Sequence, residues 1–173
     1  MICVQSISKN YGMPGWRVGM VAAEEPLIKK LLTLNSTSIT NINNVSMAAA
    51  AAAFGGDQTF SDEAVKTFTA KRDMVMKALA NIPNLECPMP KGAFYAFPDV
   101  SAYYGKSHDG VVINDDIALC TQLLEKKGLA LVPGSAFGEA RGARISYACP
   151  TDQLEKGLAL FTEFFAEMRE QNK

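Results

Sequence analysis

The chain has 173 residues, 48% hydrophobic and 20% charged, with a formal net charge of −1, so it can bury a real core and offers no electrostatic case for nucleic acid or an anionic membrane. Its longest apolar run, residues 45–54 (VSMAAAAAAF), is far short of the ~20 residues a membrane helix requires. Residues 2–4 are too short an apolar stretch for a signal-peptide core, and Cys3, Cys87, Cys120 and Cys149 show no Cys-x-x-Cys pair, which points to reduced thiols in a cytoplasmic protein.

Residues 2–6 and 18–23 read as short strands joined by a loop over 9–16. Pro26 followed by Leu27, Ile28, Leu31, Leu32 and Leu34 predicts a helix with proline in its first turn. Asn41 to Asn44 can cap an alanine-rich helix that ends at Gly55 and Gly56, whose small side chains let it approach a neighbouring backbone closely. A longer helix over about 60–81 carries Val65, Phe68, Val75, Leu79 and Ile82 near helical spacing, and Pro83, Pro88 and Pro90 follow it. This helix is the expected connection between domains.

Beyond it, residues 93–97 read as a strand closed by Pro98. His108, the only histidine, stands in a Lys-Ser-His-Asp-Gly stretch and reads as an exposed loop residue. One histidine without clustered cysteines supports neither a zinc site nor a Ser-His-Asp triad, so no metal is expected. Asn114 or Asp115 can cap a helix carrying Ile117, Cys120, Leu123 and Leu124, with Gly128 placed to stop it. Residues 129–132 and 143–148 read as two more strands. Thr151 then caps a last helix whose Leu154, Leu158, Phe161, Phe165 and Met168 form one apolar stripe. Three strands and two helices over 85–173 make a small α+β domain.

Chemistry concentrates in residues 6–19 (SISKNYGMPGWRVG). If the two flanking strands pair antiparallel, Lys9 leaves one and Arg17 enters the other at the same sheet edge. Gly12, Pro14 and Gly15 allow the turn between them. A phosphate there could take a bidentate pair from Arg17 and a hydroxyl hydrogen bond from Ser6 or Ser8. An imine-forming lysine must present a neutral amine, which a nearby cation and partial burial promote. The plainer alternative makes Lys9 a solvated loop lysine and Arg17 a surface charge.

Arg144, in Ala-Arg-Ile-Ser-Tyr-Ala, shares a strand face with Ser146 and Ala148, which are small and leave room beside it. It is either an exposed strand charge or an anion-binding arginine. A charge-assisted pair there could contribute ~1.5–3 kcal/mol to binding.

Residues 6–19 resemble, position for position, the pyridoxal-phosphate attachment segment of class I (fold type I) aminotransferases. The pattern is a small, an apolar and a small residue, then Lys9, followed by Gly12, Met13, Gly15, Arg17, Val18 and Gly19. Residues 91–95 (KGAFY) look like the first strand of that family's small domain, and 132–138 (VPGSAFG) like the loop that approaches substrate. Residues 143–148 look like the strand whose arginine binds the substrate α-carboxylate. The stretch from Phe94 through residues 101–106 (SAYYGK) to Phe137 is most similar to bacterial aspartate aminotransferases.

The resemblance implies an α/β architecture. Residues 1–59 would be the end of the large cofactor-binding domain, 60–84 the connecting helix, and 85–173 the small α+β domain. It implies transfer of an amino group between an α-amino acid, L-aspartate first, and a 2-oxo acid. Pyridoxal 5'-phosphate would be held as an aldimine on Lys9, with Arg17, Ser6 and Ser8 on its phosphate and Arg144 on the substrate. In that family the acidic partner of the ring nitrogen, and the groups around the ring, precede the lysine. Only eight residues precede Lys9 here, so the chain looks like the C-terminal portion of a subunit. The partner expected for it is a second copy in a homodimer, or the N-terminal part. A non-catalytic folded remnant or interaction module, or another enzyme of the same fold such as a carbon–sulfur lyase, is the competing reading.

Overall fold

Residues 1–173 are all described by the computed structural model. They divide into two units, Met1–Val65 and Lys66–Lys173, and each is taken by itself.

In the first unit, β1 (Cys3–Ser6) pairs antiparallel with β2 (Gly19–Ala22), Ser6 opposite Gly19 and Cys3 opposite Ala22. The chain between them is not the plain loop that the glycines suggested. It holds a one-turn helix, α1 (Ile7–Asn10), and a 3-10 turn, Pro14–Trp16. The fully buried Ile7 pins this turn: its N–H donates to the Val18 carbonyl, and its own carbonyl accepts from Tyr11 and Met13.

Helix α2 (Glu25–Ser38) begins with Pro26 in its first turn, where the missing N–H costs nothing. Helix α3 (Asn44–Gly55) is capped by Asn43, whose side chain accepts from the N–H groups of Val45 and Ser46. Tyr11 packs edge-on against Phe54 at 5.3 Å and donates its hydroxyl to Gln58 Oε1 at 2.9 Å. Little is buried otherwise: Val4, Met20, Val21, Leu32, Leu34 and Val45 all face outward within this unit. A two-stranded hairpin of this kind is marginal on its own.

Helix α4 (Thr59–Ala80) runs from one unit into the other. Of its predicted stripe, Val65 is exposed, while Val75 and Leu79 are fully buried and Ile82 packs just beyond its end. In the second unit three short strands form an antiparallel sheet in the order β3 (Tyr95–Ala96), β7 (Ala143–Ser146), β6 (Val132–Pro133). Each is shorter than its apolar run. Residues 129–131 lie before β6 and add no ladder pairs, because pairing requires a neighbour in register and not only β-prone residues.

Helix α5 (Asp116–Lys127) is capped by Asp115, whose side chain accepts from the Ala118 N–H, and it ends at Gly128 with φ 64°. Its buried face is Leu119, Cys120 and Leu123, whereas Ile117 and Leu124 point outward. The final helix, α6 (Thr151–Gln171), buries Leu154, Leu158, Phe161, Phe165 and Met168 as the periodicity predicts, together with Phe164. Thr151 does not cap it: Pro150 holds the cap position and no side chain bonds there. Tyr103, Phe161, Phe164 and Phe165 interlock edge-to-face at 4.4–5.6 Å, so the core of the chain lies here.

His108 overturns the surface reading. It sits in the hairpin β4 (Ser107–His108) and β5 (Val111–Val112), 1% exposed and 4.3 Å from the Phe164 ring. Its Nε2 lies 3.0 Å from Glu167 Oε2, while Lys127 Nζ donates to Glu167 and Glu163 at 2.7 Å each. The polar residues around His108 describe the loop, but a partner 59 positions away decides its burial.

Hydrogen bonds from Lys127 and His108 hold the Glu167 carboxyl below the usual carboxylate range. A bond from Lys126, with one from Gln171, does the same for Asp109. A carboxylate whose native pKa is depressed contributes stability above its unfolded value, ~4, and loses it as pH falls through the native value. Thermal midpoints should therefore hold between pH 5 and 7 and drop below pH 4. Glu167→Gln should lower the neutral-pH midpoint and flatten that acid limb; an unchanged limb would remove Glu167 from the account.

Burial, with the nearby Asp116 carboxylate, pushes the Cys120 thiol up to about 11. Cys120 should therefore react with iodoacetamide at neutral pH only after unfolding.

Candidate functional site

In the first unit the sequence-predicted groups gather where β1 turns into α1. Ser6 closes β1 and caps α1, its Oγ accepting from the Ser8 N–H at 3.1 Å. The Ser6 hydroxyl has two acceptors within reach, Ser8 Oγ at 2.9 Å and the Val18 carbonyl at 3.2 Å. Lys9 stands one residue on, exposed at the surface of α1 rather than in an irregular loop or partly buried.

Arg17 follows the Pro14–Trp16 turn with φ 55° and ψ 45°, left-handed geometry in a residue that is not glycine. That geometry costs ~1–2 kcal/mol. Its Nη1 donates to the Pro14 carbonyl at 3.0 Å. Beside it opens a groove lined by Trp16, Arg17, Ile39, Asn41, Asn43 and Ser46.

Residues 1–23 contain no aspartate or glutamate. Residues 6–17 thus carry two hydroxyls, an amine and a guanidinium on one segment whose own sequence holds no acidic residue. That donor set fits a phosphate monoester, which accepts from hydroxyls and takes bidentate pairs from arginine. The asparagines and Ser46 along the groove escaped the sequence reading, because they lie more than twenty positions beyond the motif.

In the second unit, Arg144 is the middle-strand residue opposite Val132 on β6. Tyr95 pairs with Ser146, two residues further along the same face, so the Tyr95 ring reaches Arg144 diagonally. Its Cζ lies 4.4 Å from the centre of the Tyr95 ring and 4.4 Å from that of Phe137. The guanidinium makes no hydrogen bond or ion pair within the chain, and its Nε is buried without a partner. Buried donors are nearly always satisfied, so the Arg144 Nε–H is free to take an acceptor. Ala143 and Ile145, on the opposite face, are buried in the core.

Phe137 belongs to the 3-10 turn Gly134–Phe137. The buried Asp116 carboxylate ties that turn down, Oδ2 accepting from the Ser135 N–H at 2.6 Å. The aromatic pair stood in the stretches 91–95 and 132–138, and Asp116 follows the predicted cap, but nothing in the spacing assigns them a task.

A family model described as aminotransferase class I and II matches residues 1–160. An aspartate aminotransferase from Streptomyces avermitilis is 37% identical over 169 residues, covering 98% of this chain and 41% of that protein. An aspartate/prephenate aminotransferase from Cereibacter sphaeroides is 39% identical over 161 residues, covering 92% and 40%. The crystal structure of the aspartate aminotransferase from Rhizobium meliloti superposes with a TM-score of 0.90 at 35% identity, over 96% of this chain and 42% of that one. The chain thus spans about two fifths of the length of the relatives it matches.

Proposed function

The chain belongs to the class I and II aminotransferase family, and on that premise we propose that it takes part in moving an amino group between an α-amino acid, L-aspartate first, and a 2-oxo acid. The cofactor of this reading is pyridoxal 5'-phosphate, which supplies an aldehyde for an amine and a ring that accepts the electron pair of a broken bond. The observation that carries the reading is the acid-free turn joining the Ser6 and Ser8 hydroxyls, Lys9 and Arg17.

Each residue has a definite task. Arg17 would exchange its bond to the Pro14 carbonyl for the phosphate, with Ser6 and Ser8 donating hydroxyl hydrogen bonds. Lys9 Nζ is the covalent attachment point, and once free it takes the proton from the substrate α-carbon. Arg144 accepts the substrate α-carboxylate, and an anion there satisfies the stranded Nε. Residues 1–59, 60–84 and 85–173 then act as the end of a large domain, a connecting helix and a small domain. The partner proposed is a second copy or the remainder of a longer subunit, and the compartment is the cytoplasm. No helix is long and apolar enough to cross a membrane.

The test is a visible absorption titration of the full chain with pyridoxal phosphate, followed by L-aspartate. A saturable band that shifts on adding L-aspartate supports the reading. A folded chain that develops no band would instead act as an interaction module, the role to which the exposed apolar residues of the first unit point.

A further inference from the structure

We propose that Tyr95 and Phe137 are positioning residues: together they clamp the Arg144 guanidinium so that its N–H edge stays presented to a carboxylate. The inference rests on the reading of Arg144 as the carboxylate site and adds what holds that arginine in place. An arginine side chain has four rotatable bonds and normally spends a large conformational entropy when it binds. Here it makes no hydrogen bond or ion pair, yet it is only half-exposed and its Nε is fully buried. Its guanidinium packs against the two rings, each centred 4.4 Å from Cζ.

Both rings are held by the fold. Tyr95 lies in β3, fixed by the ladder to β7, and the Phe94 ring packs on it at 4.6 Å. Phe137 ends the 3-10 turn that Asp116 anchors through Ser135, and Phe97 meets it edge-on at 6.4 Å. Ring faces attract a cation without consuming its N–H donors. They leave those donors unspent, whereas a carboxylate in the same place would occupy them. A buried acid paired with Arg144 would give a stronger hold and a site already filled.

The phenolic hydroxyl of Tyr95 takes no part in this clamp, so the ring alone should suffice. The clamp predicts that Tyr95→Phe behaves like the parent, while Tyr95→Leu and Phe137→Leu weaken carboxylate binding roughly five- to thirtyfold each.

The experiment is an NMR titration of the 173-residue chain, following the Arg144 Nε–H signal, assigned by its loss in Arg144→Lys. Parent, Tyr95→Phe, Tyr95→Leu and Phe137→Leu are each titrated with L-aspartate, and thermal melts confirm that each is folded. In the parent the buried Nε–H should exchange slowly with solvent and shift on adding aspartate. Faster exchange and weaker binding in the two leucine variants, with Tyr95→Phe matching the parent, supports the clamp.

Parent-like exchange and affinity in both leucine variants overturns it. A parent signal that ignores aspartate while its exchange still depends on the rings overturns the carboxylate reading instead. The rings would then be packing around an idle arginine, and the positioning role would fall with it.

Discussion

Lys9→Ala is expected to abolish the saturable cofactor band completely, and with it any exchange of amino groups. A lysine alone does not make a saturable site, because pyridoxal phosphate condenses with accessible lysines in general. Lys29, Lys30, Lys66, Lys77 and Lys91 are all available for that reaction, and each should contribute a weak, non-saturating background. Lys9 differs in its neighbours. It stands on the single turn that Ile7 buries and Ser6 caps, beside two hydroxyls 2.9 Å apart and on the acid-free segment that also carries Arg17.

On the proposed reading a phosphate would be held there while the amine reacts, and that effective concentration is what would make the site saturable. Lys9→Ala should leave the slow background of the other lysines and nothing more. Lys29→Ala, whose amine pairs with Glu25 on the exposed face of α2, serves as the control and should titrate like the parent. Arg17→Met should keep a band but weaken cofactor binding by ten- to a hundredfold, the worth of a charge-assisted pair. A band of equal height and affinity in Lys9→Ala would relocate the attachment point and remove the central support of the proposed chemistry.

The largest expected effect on stability comes from Gly134→Ala. A Cβ at Gly134 would fall onto the carbonyl oxygens of Glu139 and Gly142, which are backbone atoms and cannot swing aside. The same residue closes the turn: its N–H donates to the Gly142 carbonyl at 2.9 Å and its carbonyl accepts from Glu139 at 3.1 Å. Relief requires moving the turn away from β7, which breaks those bonds and lifts Phe137 from Arg144. The cost should be ~3 kcal/mol, read as a fall of roughly 6–12 °C in the thermal midpoint.

Because the turn carries Phe137, the substitution should also speed exchange of the Arg144 Nε–H in whatever protein remains folded. Gly138→Ala makes a useful contrast. No atom stands within 4 Å of a Cβ there, but its φ of 81° leaves a backbone penalty of ~1 kcal/mol. If Gly134→Ala loses no more than Gly138→Ala, the turn relaxes more easily than its packing indicates.

Local chemistry determined a great deal by itself. Asn43 and Asp115 cap their helices and Gly128 ends one in the left-handed region, because these outcomes depend on neighbours within four residues. The buried stripe of α6 follows from the 3.6-residue period alone. The family was legible in residues 6–19 for the same reason, since that motif is contiguous.

What tertiary structure decided lies between distant positions. Strand lengths shrank to the residues that found a partner in register. His108 left the surface because Phe164 and Glu167 surround it from the far end of the chain. Lys9 became part of a helical turn because a buried Ile7 holds that turn against Val18. Arg144 could be named from its strand, but its two-ring clamp depends on the β3–β7 register and on a turn that Asp116 holds. Sequence spacing records which side chains share a local face; burial and partnership depend on which distant faces meet.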